Sequence, residues 1–136
     1  MLLNKYQKGN PVNWCERNIT LDYGKFNSNF HPLLIEPMRA LANCRGKTVG
    51  LIGSVQHIKT LLAQLWQLYC LHVEPGRAAM YDLTESALKE FSDDKFTPLI
   101  DSTDRILNLI PDQQYRRTKF FTSTNAGAIR LLSANV

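Results

Sequence analysis

Between Gly46 and Gly53 the chain carries a short run, Thr48 to Ile52, in which Val49, Leu51 and Ile52 are apolar. A brief apolar run closed off by glycines is the pattern of a strand buried on both faces of a parallel sheet. It opens directly onto Gly53-Ser54-Val55-Gln56-His57-Ile58-Lys59-Thr60. From Thr60 the segment TLLAQLWQLYCLH spreads Leu61, Leu62, Leu65, Trp66, Leu68 and Tyr69 over a wide apolar face, which predicts a helix with one side sunk in a core. Buried strand, glycine-led loop and helix, in that order, constrain the chain more than any other feature.

The chemistry that such an arrangement supports is anion binding. Successive backbone N–H groups of the loop can surround a phosphate, and the dipole at the helix N-terminus favours negative charge there. A lysine at the end of the loop reaches the β and γ phosphates of a nucleotide, and the hydroxyl residue after it ligates magnesium. Lys59 and Thr60 fit those two roles, which makes ATP and Mg2+ the implied ligands. Ile58 stands where the general pattern has glycine, and a β-branched residue is costly there if the position needs φ > 0. The competing reading is a plain strand-to-helix turn in which Gly53, Lys59 and Thr60 coincide by chance.

The rest of the chain extends the same reading. Residues 1–31 are rich in Asn, Gly and Tyr and lack periodicity, so they read as an extended lead-in with at most a short strand near Ile19 to Leu21, anchored by Trp14. Pro32 and Pro37 bracket a helix start, and Leu34, Ile35, Met38 and Leu41 recur at helical spacing, which predicts a helix over 33–43. Ala78 to Leu83 reads as a second strand, parallel to 48–52 across a right-handed crossover. Thr84 then caps a helix through Phe91, with Glu85 in its first turn. Residues 96–110 continue as helix until Pro111, and 119–123 with 128–132 form a hairpin around Thr124 to Gly127.

Composition narrows the function classes only a little. With 44% hydrophobic and 21% charged residues among 136, the chain has the make-up of a single soluble globular domain. A formal charge of +4 is compatible with a polyanionic partner without requiring one, and only Arg116, Arg117 and Lys119 cluster tightly. Cys15, Cys44 and Cys70 are odd in number and have no metal-ligand spacing, which points to a reduced compartment. No stretch approaches a membrane span or the apolar core of a signal peptide, so a membrane partner is not expected. His31, His57 and His72 share no ligand spacing, and Asp93, Asp94, Asp101 and Asp104 read as solvated charges flanking helices.

Beyond the loop, residues 11–135 resemble the large subunits of phage terminases of the lambda-like type, collinearly and at matching spacing. Trp14-Cys15-Glu16-Arg17 is similar to the Trp-x-Glu segment that opens those proteins, and Gly24-Lys25-Phe26, Pro32 and Glu36-Pro37 are similar to the family's Gly-x-Trp and Pro-Tyr-x-x-Glu stretch. Ser54-Val55-Gln56 with Lys59-Thr60 resembles the family's Ser-Ala-Gln-x-Gly-Lys-Thr loop. Thr84 to Ala87, Phe91-Ser92 and Pro98-Leu99-Ile100 resemble its strand-end Pro-Thr, helix and Pro-Met-Ile segment, and Gly127 to Asn135 its Gly-Gly-x-Leu hairpin ending in Ala-Asn-Ser. Besides Ile58, the chain departs at Val55, where many terminases have an arginine acting on the γ-phosphate.

The resemblance implies an α/β, P-loop NTPase-like fold: an incomplete, mainly parallel sheet with flanking helices and a C-terminal β-hairpin. Residues 1–31 would be the lead-in and 32–136 a partial ATPase-like domain. It implies a fragment of the motor that packages viral DNA, in the host cytoplasm, with ATP and Mg2+ held by Gly53, Ser54, Gln56, His57, Ile58, Lys59 and Thr60. Gln56 would orient the loop or the nucleotide. Double-stranded DNA, a procapsid and other terminase subunits are the implied partners. The family's acidic, magnesium-binding strand and nuclease domain would come after Val136, so hydrolysis by this chain alone is not expected. The uncovered hairpin edge would favour self-association. Two other classes compete: a non-catalytic terminase-derived binding protein, such as a decoy or inhibitor, and a helical DNA-binding module of a recombinase. A central strand at 48–52 would speak against the last.

Overall fold

The computed structural model describes residues 10–43, 48–54, 58–73, 76–110, 117–118, 120–124 and 127–134. The chain divides into two compact units, residues 1–66 and residues 67–136.

The first unit begins with a helix, α1 (Pro11–Asn18), where the sequence reads as extended chain. The helix start is local chemistry. The Asn10 side chain accepts a hydrogen bond from the Asn13 N–H at 3.2 Å, and Pro11 occupies the first helical position, where its missing N–H costs nothing. Val12, Trp14 and Cys15 are buried along one side, so Trp14 anchors this segment as expected. A two-residue hairpin comes next, β1 (Thr20–Leu21) against β2 (Gly24–Lys25), and Gly24 sits at φ 119, a conformation that side chains disfavour. Glu16 accepts hydrogen bonds from the Ser28 hydroxyl and, at 3.3 Å, from the Ser28 N–H, tying α1 to the turn of 3-10 helix at Ser28–Phe30. A second 3-10 turn, Pro32–Leu34, leads into α2 (Ile35–Ala42), which packs against α1. Pro37 lies in the first turn of α2, where the helix needs no donor, so the predicted helix over 33–43 forms despite it.

The segment predicted as a central strand is not one. Residues 48–54 have no regular structure, Val49 is 36% and Leu51 38% exposed, and Ile52 is fully exposed. A strand buried on both faces exists only where two neighbours accept its backbone, and Gly50 in its middle weakens its own preference for extension. With no strand there, the predicted parallel pairing of 48–52 with 78–83 is absent as well. The helix after it, α3 (Lys59–His72), forms as predicted and is buried along most of its length, with Leu65, Leu68, Tyr69 and Leu71 at 0% exposure.

In the second unit the second predicted strand is β3 (Gly76–Asp82). It pairs in parallel with β6 (Gly127–Ser133) over seven residue pairs, Gly76↔Gly127 to Asp82↔Ser133. The sheet order is β3-β6-β5-β4, with β5 (Phe121–Ser123) and β4 (Arg117–Thr118) both added antiparallel. The C-terminal hairpin therefore forms, but the sheet is mixed, with one parallel pair among the described strands, instead of mainly parallel. Thr84 caps α4 (Glu85–Glu90) by accepting from the Ala87 N–H at 3.2 Å, as predicted. The helix then widens into a π-helical segment at Phe91–Phe96 before α5 (Thr97–Ser102) and α6 (Asp104–Leu107). Pro98 supplies the reason: it has no N–H for the carbonyl one turn back, and a widened turn lets the helix continue. The widened turn brings Phe91 and Phe96, five residues apart, into a stack at 5.7 Å. α4 packs on β3 and β6, over the face that carries the buried Ile129 and Leu131.

Thr124 joins the hairpin to the end of α3. Its hydroxyl donates to the Leu71 carbonyl at 2.7 Å and accepts from the Gly127 N–H at 3.2 Å.

Candidate phosphate-binding site

The residues that the sequence singles out lie at the start of α3. The first helical hydrogen bond runs from the Leu62 N–H to the Ile58 carbonyl at 2.8 Å, so the helix is wound from Ile58 onward. Its fourteen residues align their peptide dipoles with the positive end at Lys59 and Thr60. Lys59 is exposed, and its side chain turns back so that Nζ donates to the Gly53 carbonyl at 3.0 Å. One ammonium thus bridges the two ends of the segment 53–59. Of its three protons, that bond uses one.

Thr60 and Ile58 are half-buried, while Gly53 and Ser54 are exposed. Gly53 is not demanded by steric crowding: a Cβ there would meet the Lys59 side chain at 3.8 Å, an ordinary contact. Gln56 and His57, like Val55, lie outside the described residues. The structure thus brings Gly53 and Lys59 into contact and places Thr60 beside them on the first helical turn. An exposed ammonium, a hydroxyl one residue on and the N-terminal end of a long helix fit the charge and ligand types of a magnesium nucleotide. What differs from the sequence expectation is the delivery of the loop, which comes from an irregular exposed segment instead of a buried strand.

Several other titratable groups have local partners. Asp82, at the end of β3, accepts from the Leu83 N–H at 2.6 Å. His31 stacks on Phe26 with ring centroids 5.6 Å apart, and its Nε2 shares a hydrogen bond with the Tyr23 hydroxyl at 2.9 Å. The Arg105 Nε donates to His72 Nε2 at 3.3 Å; burial, and then the Arg105 charge, lower the pKa of that imidazole. Burial, with the Glu16 carboxylate adding to it, pushes the Cys15 thiol up to about 12, so it behaves as a small core hydrophobe. Among the described residues no group of three or more His, Cys, Asp or Glu side chains is placed to hold a metal ion. Nor is any described helix long and apolar enough to cross a membrane.

Lys59 and Thr60 thus open α3 just after the glycine-containing segment 48–54, in a mixed α/β chain. In a comparison with protein families, residues 21–136 match the model described as phage terminase large subunit gpA, ATPase domain, and the chain belongs to that family. Neither curated proteins nor solved structures give a match. The family covers α2, α3 and the whole four-stranded sheet, which leaves the helical recombinase module without support.

Proposed function

We propose that residues 53–60 hold the phosphates of ATP and that the chain serves as the nucleotide-binding part of a motor packaging double-stranded DNA. The observation that carries this reading is the Lys59 ammonium, exposed at the positive end of α3 and resting 3.0 Å from the Gly53 carbonyl. A phosphate oxygen is a stronger acceptor than a neutral carbonyl, so a nucleotide would draw Lys59 off Gly53. The backbone N–H groups of Ser54, Gln56, His57 and Ile58 would complete the cradle, and Thr60 would offer its hydroxyl to Mg2+. The metal, when bound, would neutralise charge between the β and γ phosphates. A procapsid and other terminase subunits are the partners this reading implies, in the cytoplasm of the host cell.

Turnover by this chain alone should be slow. Val55 stands where many terminases carry an arginine, and loss of an arginine that stabilises the transition state removes roughly 10³ to 10⁵ in rate. A second reading, a terminase-derived binding protein that hydrolyses nothing, draws support from the exposure of Val49, Leu51 and Ile52 at the mouth of the loop.

The test is a titration of a fluorescent ATP analogue with Mg2+. Lys59→Ala should raise Kd about tenfold or more, since hydrogen bonds to charged groups contribute roughly 1.5–3 kcal/mol. Lys95→Ala, a matched charge loss on the exposed side of the π-helical segment, should leave it within twofold. Ile58→Gly should tighten binding if the loop takes up the family's geometry in the complex. Equal effects of the two lysine substitutions would reduce the affinity to nonspecific charge attraction.

A further inference from the structure

The four-stranded sheet has one face under α4 and one face that the described helices of its own unit leave largely open. The register assigns residues to that open face. Partnered residues share a face and successive residues alternate, so Arg77, Ala79 and Tyr81 of β3 lie beside Ala128, Arg130 and Leu132 of β6. Phe121 lies opposite Arg130 and Ser123 opposite Ala128, and Thr118 of β4 continues the row through Phe121. Among the described residues the face thus carries two arginines, two aromatic rings and a leucine, and no acidic residue.

Its exposure is graded. Tyr81 is 66% exposed, Arg77, Ala79 and Arg130 are exposed, Phe121, Ala128 and Leu132 are half-buried, and Ser123 at the edge of the face is buried. The Arg130 guanidinium lies over the Phe121 ring, 5.1 Å from its centroid. That contact holds the planar cation against the sheet, and it leaves the outer side of the guanidinium facing away from the ring. Diagonally across the strand pair stands Tyr81, a second flat group on the same face. Ala79, level with Arg130 on β3, is the small residue beside them.

We propose that this face binds single-stranded nucleic acid, with bases stacking on Tyr81 and on the Arg130–Phe121 pair and phosphates neutralised by Arg77 and Arg130. Charge complementarity selects a polyanion, because the face carries two guanidiniums and nothing to offset them. Flat groups select unstacked bases, since every base has a π-face that an aromatic ring or a guanidinium plane accepts. Duplex fits poorly, because its bases are stacked on one another and offer no free face to Tyr81 or to the Arg130–Phe121 pair. The proposal is independent of nucleotide binding at Lys59.

The experiment uses the full chain and fluorescence anisotropy at 0.15 M salt, roughly physiological ionic strength. The probes are a labelled oligothymidylate of about 20 nucleotides, an abasic strand of equal length and charge, and a duplex of about 20 base pairs, chosen to exceed the roughly 4–16 nucleotides a single sheet platform covers. The oligothymidylate should bind at least about tenfold tighter than the abasic strand, as expected for stacking on one or two groups, and any duplex binding should not depend on Tyr81. Tyr81→Ala should weaken it about tenfold or more, and Tyr81→Phe, which keeps the ring, should retain it. Because Tyr81 is mostly exposed, its replacement does not threaten the fold. Arg130→Ala should weaken binding while Lys95→Ala, the same loss of charge elsewhere, should not. Binding of the abasic strand as tight as that of the oligothymidylate, duplex binding that Tyr81→Ala weakens equally, equal effects of Arg130→Ala and Lys95→Ala, or no binding at all would overturn the proposal.

Discussion

Replacing Thr124 by valine keeps the side-chain shape and removes one hydroxyl, so it isolates the hydrogen bonds that tie the hairpin to α3. Leu71 lies in the last turn of α3, where helix geometry leaves the final carbonyls without intrahelical donors. The Thr124 hydroxyl satisfies that carbonyl at 2.7 Å across 53 positions of sequence, and both residues are buried, Leu71 at 0% and Thr124 at 5% exposure. Thr124→Val strands the carbonyl where water does not reach it, and also removes the acceptor of the Gly127 N–H. Stranding a buried polar group costs about 1–3 kcal/mol, about twice the net value of an ordinary hydrogen bond. With a urea dependence of roughly 1–3 kcal/mol per molar, the unfolding midpoint should fall by about 1 M. Thr124→Ser, which keeps the hydroxyl and loses a methyl group, should lose roughly half as much or less. The assay is urea denaturation followed by circular dichroism and by tryptophan fluorescence in parallel, since a chain with two units need not unfold in one step. If the valine variant lies within about 0.5 kcal/mol of the parent, the scatter of a neutral surface substitution, the contact does not bind the hairpin to the helix.

Two smaller predictions concern the same unit. Thr84→Ala removes the side-chain acceptor of the Ala87 N–H and should cost about 0.5–2 kcal/mol in thermal or urea denaturation, while Thr84→Asp should be close to neutral. His72 is held neutral by burial and by Arg105, so its folded pKa lies below the unfolded value of 6.5. The unfolded chain therefore takes up a proton first as pH falls, and the stability that neutral His72 contributes is present above about pH 6.5 and is lost below it, down through its lowered folded pKa. His72→Gln should flatten the dependence of unfolding free energy on pH below about 6.5, and an unchanged slope would remove His72 from the account.

What was legible in the sequence was what a few adjacent residues decide. Thr84 and Glu85 announce α4, the apolar face from Thr60 announces α3, and Pro32 with Pro37 marks the start of α2. Asn10-Pro11 is the same kind of signal and marks α1; the Asn-rich composition around it hid the cap. Strand partners are a different matter, because pairing is decided by residues far apart in the chain. The run at 48–52 has the composition of a buried strand, yet β3 takes its one described parallel neighbour from Gly127–Ser133. The π-helical turn also escapes a reading based on a 3.6-residue period, although Pro98 inside a helical pattern is its sequence mark. For the candidate site, the order of Gly53, Lys59 and Thr60 was readable, but the return of Lys59 onto the Gly53 carbonyl was not, since it depends on the path of the residues between them. Neither was the open sheet face, whose Tyr81 and Arg130 stand 49 positions apart and meet only through the register of β3 and β6.

The central claim, that residues 53–60 take up the phosphates of ATP, is most directly tested by amide hydrogen exchange with and without ATP and Mg2+, the nucleotide held near the parent's Kd. Exchange reads backbone N–H groups, which are the groups that would form the cradle. The account predicts slower exchange in peptides spanning 53–62 with ATP and Mg2+, less protection with adenosine, and much less in Lys59→Ala at the same nucleotide concentration. If protection falls elsewhere in the chain, or persists unchanged in Lys59→Ala, the nucleotide does not sit at the start of α3 and the proposed site is wrong.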